Sequence, residues 1–135
     1  MFDTKIAIIV RDDLASWKKL NVTAFLTSGI VAQAPGLIGE PYIDSTGSAF
    51  NPMVRQPMVV LSASQDALRT ICKRAIERGI RISTYIEEMF STGHDAANRD
   101  VFAKFSLPEA AIVGAALHAD KKLVDKITKG AKLHS

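Results

Sequence analysis

Glu87 and Glu88 stand side by side directly after the alternating segment Ile80-Arg81-Ile82-Ser83-Thr84-Tyr85-Ile86. A carboxylate fixed at the end of a strand can take up a proton or orient a water molecule for attack. The same pair also suits an ordinary helix start, where negative charge is favourable. A second charged group follows the apolar run 6–10: Arg11, Asp12 and Asp13, then Lys18 and Lys19. Charge just beyond the carboxyl end of a buried strand is where open α/β sheets collect ligands. It also serves as a solvated turn in which Asp13 or Ser16 caps the next helix. The third group is Ser91-Thr92-Gly93-His94-Asp95. His94 lies beside hydroxyls and a carboxylate, a combination that serves either acid–base work or a plain surface loop.

Elements of regular structure must place these residues. Lys5-Ile6-Ala7-Ile8-Ile9-Val10 has no polar alternation, which predicts a strand covered on both faces. Residues 15–32 read as a helix. Trp17, Leu20, Ala24, Thr27 and Val31 share one stripe and Val22, Phe25, Leu26 and Ile30 widen it, so most of the helix surface is expected to be covered, with Trp17 as a packing anchor. Pro35, Gly36, Gly39 and Pro41 break it, and a small hairpin is expected across Ser45-Thr46-Gly47. A second buried strand spans 57–61. The helix after it repeats Leu68, Ile71, Cys72, Ala75 and Ile76, with Ser62 or Ser64 as cap and Gly79 as its left-handed stop. Strand, helix and the alternating strand 80–86 form a parallel, right-handed crossover unit. Residues 87–108 make a long connection, helical or irregular, 112–117 a fourth strand, and Leu123, Val124 and Ile127 the inner side of a short helix closed by Gly130. The expected fold is a three-layer α/β/α domain over 1–135 with a mixed sheet of about four main strands.

Composition narrows the function. At 135 residues, 47% hydrophobic and 23% charged, the chain can build a core without staples. Its one cysteine, Cys72, forms no intrachain disulfide or multi-cysteine metal cluster and is expected in the core. No apolar run reaches the about 20 residues that span a bilayer. The opening Met1-Phe2-Asp3-Thr4 lacks the pattern of a secretory leader, so a cytoplasmic protein without a membrane partner is expected. The net charge of +3 is mild, with lysines gathered at 121, 122, 126, 129 and 132. It admits an anionic partner such as RNA or a phosphorylated metabolite. The sequence contains no phosphate-binding glycine loop, dinucleotide fingerprint, paired-histidine zinc motif or nucleophile-elbow serine, so neither cofactor nor metal is expected.

The two ends of the chain resemble those of type II peptidyl-tRNA hydrolases. Val10-Arg11-Asp12-Asp13-Leu14 is similar to that family's strand followed by Arg, any residue, Asp, Leu. Asp125-Lys126-Ile127-Thr128-Lys129-Gly130-Ala131-Lys132-Leu133 is similar to its closing segment. The resemblance covers nearly all of the chain except 34–56 and 95–107. It implies that fold, a tRNA partner, and a site built from a lysine, an acid and threonine hydroxyls. The lysine position falls on Asn21, the neighbouring glutamine and histidine positions on Phe25 and Ser28, and the acid on Glu87; Thr92 stands near the threonine. Lys18 or Lys19 is then the nearest amine. A closer resemblance, to the bacterial domain-of-unknown-function family numbered 2000, rests on Trp17-Lys18-Lys19-Leu20-Asn21, Gly39-Glu40-Pro41, Met89-Phe90-Ser91-Thr92 and Lys129-Gly130-Ala131-Lys132-Leu133-His134.

Three functions follow. A small ligand or an RNA end binds at the carboxyl edge of the sheet through Arg11, Asp13, Asn21, Phe25, Glu88 and His94. Alternatively, an ester or amide such as peptidyl-tRNA is hydrolysed with Glu87 orienting water and Lys18 and Thr92 assisting. A third reading is a homodimeric structural or regulatory protein whose apolar helix surface is shared between subunits.

Overall fold

A run of β-branched residues with no polar break forms the middle of the sheet. Strand β1 (Thr4–Arg11) carries Ile6, Ala7, Ile8, Ile9 and Val10, all fully buried. A computed structural model describes residues 2–135, so Met1 of the chain's opening lies outside the described residues. In chain order β1 is followed by α1 (Ser16–Gln33), β2 (Tyr42–Ile43), β3 (Ala49–Phe50), β4 (Met58–Ala63), α2 (Gln65–Glu77), β5 (Ser83–Ile86), α3 (Asp95–Phe102), β6 (Ile112–Asp120), α4 (Lys121–Ile127) and β7 (Lys132–Leu133). The main sheet has five strands in the order β5-β6-β1-β4-β7, and β2 and β3 form a separate two-stranded hairpin. The strand beyond the expected four is β7, which pairs Leu133 with Leu61 and Lys132 with Ser62. Gly130, at φ +108, makes the turn that brings β7 back.

Alternation along β1 divides the core in two. Ile6, Ile8 and Val10 meet Val22, Leu26 and Ile30 of α1 on one face. Ala7 and Ile9 meet Leu68, Ile71, Cys72 and Ala75 of α2 and Val124 and Ile127 of α4 on the other. Three layers result, with a mixed sheet in the middle: β1 is parallel to β4 and antiparallel to β6. On β6, Gly114 lets α1 sit close. A Cβ there would meet Val22 Cγ1 at 2.5 Å and Leu26 Cδ1 at 2.9 Å.

The helix α2 follows its sequence pattern. Ser64 Oγ accepts from the Ala67 amide at 3.2 Å at its start, and Gly79 takes φ +72 past its end. Helix α1 departs from expectation. Only Val22, Leu26 and Ile30 are buried, while Trp17, Leu20 and Phe25 are more than half exposed. The sheet offers this helix one face, and among the described residues nothing lies over the other. Its first turn also lacks the expected side-chain cap, with Ala15 at the cap position. The Asp13 carboxylate is taken by Arg11 instead.

The strands joined by α2 are parallel but not adjacent. The connection passes β1 and β6 before β5 takes its place at the edge. The long connection 87–108 takes the helical of its two expected forms: a 3-10 turn at Glu87–Ser91, then α3, then a second 3-10 turn at Leu107–Glu109. Among the described residues no helix is long and apolar enough to cross a membrane.

Candidate functional site

Arg11 ends β1 beside Ala63, its partner on β4, and its side chain falls on the α2 face of the sheet with Ala7 and Ile9. The residue is 8% exposed. Its Nε donates to Asp13 Oδ1 at 2.6 Å and its Nη1 to Glu87 Oε2 at 3.4 Å. Burial works against the guanidinium charge, but the hydrogen bond and attraction of Asp13, with Glu87 behind it, raise the Arg11 pKa above its ordinary value. Both carboxylates are open to solvent on their outer sides. Glu87 reaches β1 because its own amide bonds to Ala111 O and folds the chain over the start of β6.

A different group forms on the α1 face. Tyr85 points from β5 into that half of the core, where burial raises its phenol pKa. Its ring lies 5.8 Å from that of Phe25 and 5.1 Å from that of Phe90. Phe90 meets Trp17 edge-on at 5.9 Å. The Lys18 ammonium stands 4.8 Å from the Phe90 centroid and 5.6 Å from that of Trp17, within the range of cation–π attraction. Two adjoining hollows of about 590 and 270 Å³ share Phe25, Tyr85, Met89, Asp95 and Asn98, and make one cleft between α1 and α3 over the edge strand β5.

The 88–98 segment supplies the polar side. Asn21, Thr92 and His94 line the smaller hollow. The Thr92 hydroxyl bonds to Asn98 Oδ1 and to Met89 O. His94 caps α3, its Nδ1 accepting from the Ala97 amide at 3.2 Å, which leaves Nε2 to carry the proton of the neutral ring. Asp95 and Arg99 are paired at 2.8 Å on an exposed rim. Glu88 lines neither hollow, and its Oε1 is buried without a hydrogen-bond partner among the described residues.

The charged edge and the cleft are thus distinct. Arg11, Asp13 and Glu87 come together; Lys18, Asn21, Phe25, Thr92 and His94 gather around the cleft. Sequence reasoning missed Tyr85, Phe90 and Asn98, and treated Trp17 as a packing anchor rather than a half-exposed wall. The alternation of 80–86 marks Tyr85 and Ile86 as pointing to opposite faces, but which face holds a cleft depends on where α1 lies. Among the described residues no cluster of three His, Cys, Asp or Glu side chains is placed to hold a metal ion.

No curated protein matches the chain. A solved structure of the protein of unknown function Atu0240 from Agrobacterium tumefaciens strain C58 is similar over 100% of both chains, with 65% identity and a TM-score of 0.98. The family model described as "Protein of unknown function (DUF2000)" matches residues 4–135. With nearly its whole length matched, the chain belongs to that DUF2000 family.

Proposed function

We propose that this protein binds a small planar organic anion in the cleft between α1 and α3. The reading rests on one observation, the continuous run of Trp17, Phe90, Tyr85 and Phe25 along the cleft with the Lys18 ammonium lying over it. Aromatic walls take a flat ring by offset or edge-on contact. Lys18 forms no ion pair among the described residues, so its charge is free for an anionic substituent. Asp95 and Arg99 cancel one another on the rim, and Thr92 and Asn98 present a hydroxyl and an amide to orient polar groups. The larger hollow, at about 590 Å³, falls within the roughly 300–1,000 Å³ typical of small-ligand sites, and the smaller one extends it.

Titration with naphthalene-2-carboxylate tests this. Trp17 is the only tryptophan, so its indole N–H gives a single nuclear magnetic resonance signal. The signal is expected to shift saturably in the wild type and to lose that response in Phe25→Ser. Neutral naphthalene-2-carboxamide is expected to bind about tenfold more weakly, a difference of about 1.4 kcal/mol. A signal that never saturates, or equal affinity for both probes, overturns the reading.

The second reading is an ester- or amide-cleaving enzyme on the frame of type II peptidyl-tRNA hydrolases. What favours it is position: Glu87 opens the same 3-10 turn that carries Phe90 to the cleft. Glu87 then orients water, and Arg11, whose Nη1 lies 3.4 Å from Glu87 Oε2, balances charge. Cleavage of an N-acylated aminoacyl-tRNA that disappears in Glu87→Ala supports this enzyme. Failure to turn over at high enzyme concentration removes it, and RNA binding that weakens steeply with salt then leaves an RNA-end binder.

A further inference from the structure

We infer that a second ligand site, for an aliphatic monocarboxylate, lies on the opposite side of the sheet from the cleft, in the groove between α2 and the 3-10 turn Leu107–Glu109. The groove holds about 490 Å³, again the size of a small-ligand site. Its apolar wall is formed by Ile76, Leu107, Pro108 and Ile112. Among the described residues no aromatic ring lines it, so it suits a flexible hydrocarbon rather than a flat one. Ile76 repeats with the core residues of α2 in the sequence, yet it is 52% exposed because it faces this groove.

The charges are ordered along the helix. Arg69, Lys73 and Glu77 follow at successive turns on one side of α2, so the two cations stand at one end and the carboxylate at the other. Among the described residues neither cation has an acidic partner. Arg69 is held in place by one hydrogen bond, from Nη2 to Ala110 O at 3.2 Å. Among the described residues its buried Nε has no hydrogen-bond partner, so this guanidinium has given up water on one side without gaining a counter-charge. A carboxylate placed between Arg69 Nη1 and the Lys73 ammonium supplies that charge. The hydrocarbon chain attached to it then runs over Ile76 and Leu107, and Glu77 at the far end disfavours a second negative group. A single carboxylate at one end of an aliphatic chain fits this order of charge and apolar surface, and a dicarboxylate does not.

The experiment is titration of the whole protein with decanoate, followed by backbone amide shifts and by calorimetry. The expected result is saturable binding that shifts the amides of Thr70, Lys73, Leu107 and Ile112. Decanol, without the charge, and acetate, without the chain, each bind at least tenfold more weakly. Lys73 is exposed, so Lys73→Glu leaves the fold intact and is expected to weaken decanoate at least fivefold. Arg69→Gln keeps an amide donor for Ala110 O and is expected to weaken it further. Phe25→Ser, which alters the α1–α3 cleft, leaves decanoate binding unchanged, so this site stands or falls separately from the proposed cleft. Shifts confined to the α1–α3 cleft, decanol binding as tightly as decanoate, or unchanged affinity in Lys73→Glu would each overturn the inference.

Discussion

Arg11 Nη1 and Glu87 Oε2 stand 3.4 Å apart although β6 runs between the strands that carry them. Glu87 crosses that gap because the 3-10 turn it opens folds over the first residues of β6. The pair ties the end of β1 to the segment that also carries Phe90 and Thr92, so the charged edge braces one wall of the cleft.

The two partners differ in burial, and their substitutions should differ accordingly. Arg11→Ala removes a buried stem and leaves Asp13 and Glu87 without their cation; a loss of about 2 kcal/mol in urea unfolding is expected. Glu87 is half exposed, where water screens the attraction, so Glu87→Ala should cost less than about 1 kcal/mol. Equal losses for the two would contradict this division.

Gly114→Ala tests how closely α1 rests on the sheet. The added methyl group would meet Val22 and Leu26 inside contact distance and Ile9 O at 3.3 Å. Both neighbours belong to the fully packed stripe of α1, so the helix must move outwards. A loss of about 2 kcal/mol is expected, together with a change in the Trp17 fluorescence, since the same helix carries that wall of the cleft. Unchanged stability and emission would show that α1 yields without strain.

Burial alone pushes the Cys72 thiol up to about 12. At neutral pH its thiolate fraction is therefore about 1000-fold below that of a thiol at the ordinary value of 9. Reaction with a disulfide reagent should be at least that much slower in the folded protein than in urea. The folded pKa is raised, so this group's contribution to stability is present below about pH 9 and is lost as pH rises towards 12. Cys72→Ala should flatten the alkaline fall in stability. A fast-reacting native thiol would place Cys72 outside the core.

Much of this frame could be read from residue patterns. The unbroken apolar run 6–10 marks a strand covered on both faces, and β1 is covered by α1 on one side and by α2 and α4 on the other. The Leu68, Ile71, Cys72, Ala75 spacing marks the inner side of α2. Residues 16–33 misled because apolar side chains occur around the whole helix, and composition alone cannot distinguish a buried face from an exposed aromatic one. Val22, Leu26 and Ile30 face the sheet; Trp17, Leu20 and Phe25 face outwards. The site was less legible than the fold for a related reason. Arg11 and Glu87 are 76 residues apart, and their meeting depends on strand order, which no local pattern encodes. Tyr85 and Phe90 likewise become a wall only once α1 and α3 stand on either side of them.

Arg74 shows the same dependence on topology. Its Nη1 donates to Ile127 O at 3.1 Å and to Lys129 O at 2.6 Å, closing the end of α4 from a different helix. Arg74→Ala leaves both carbonyl groups to water and should cost about 1–2 kcal/mol. Amide exchange should quicken first at Lys132 and His134, because β7 is held to β4 by a short ladder in which His134 N donates to Val60 O at 3.0 Å. Uniform quickening along the chain would mean that this corner is not a separate unit.

The central claim is a planar anion on the aromatic run with its charge at Lys18. Calorimetric titration of naphthalene-2-carboxylate into the wild type and into Lys18→Gln, at low salt, tests it most directly. The account predicts saturable binding that weakens by about tenfold in Lys18→Gln, while the neutral carboxamide binds both proteins alike. Equal affinity of the carboxylate for both proteins, or no binding to either, would contradict it.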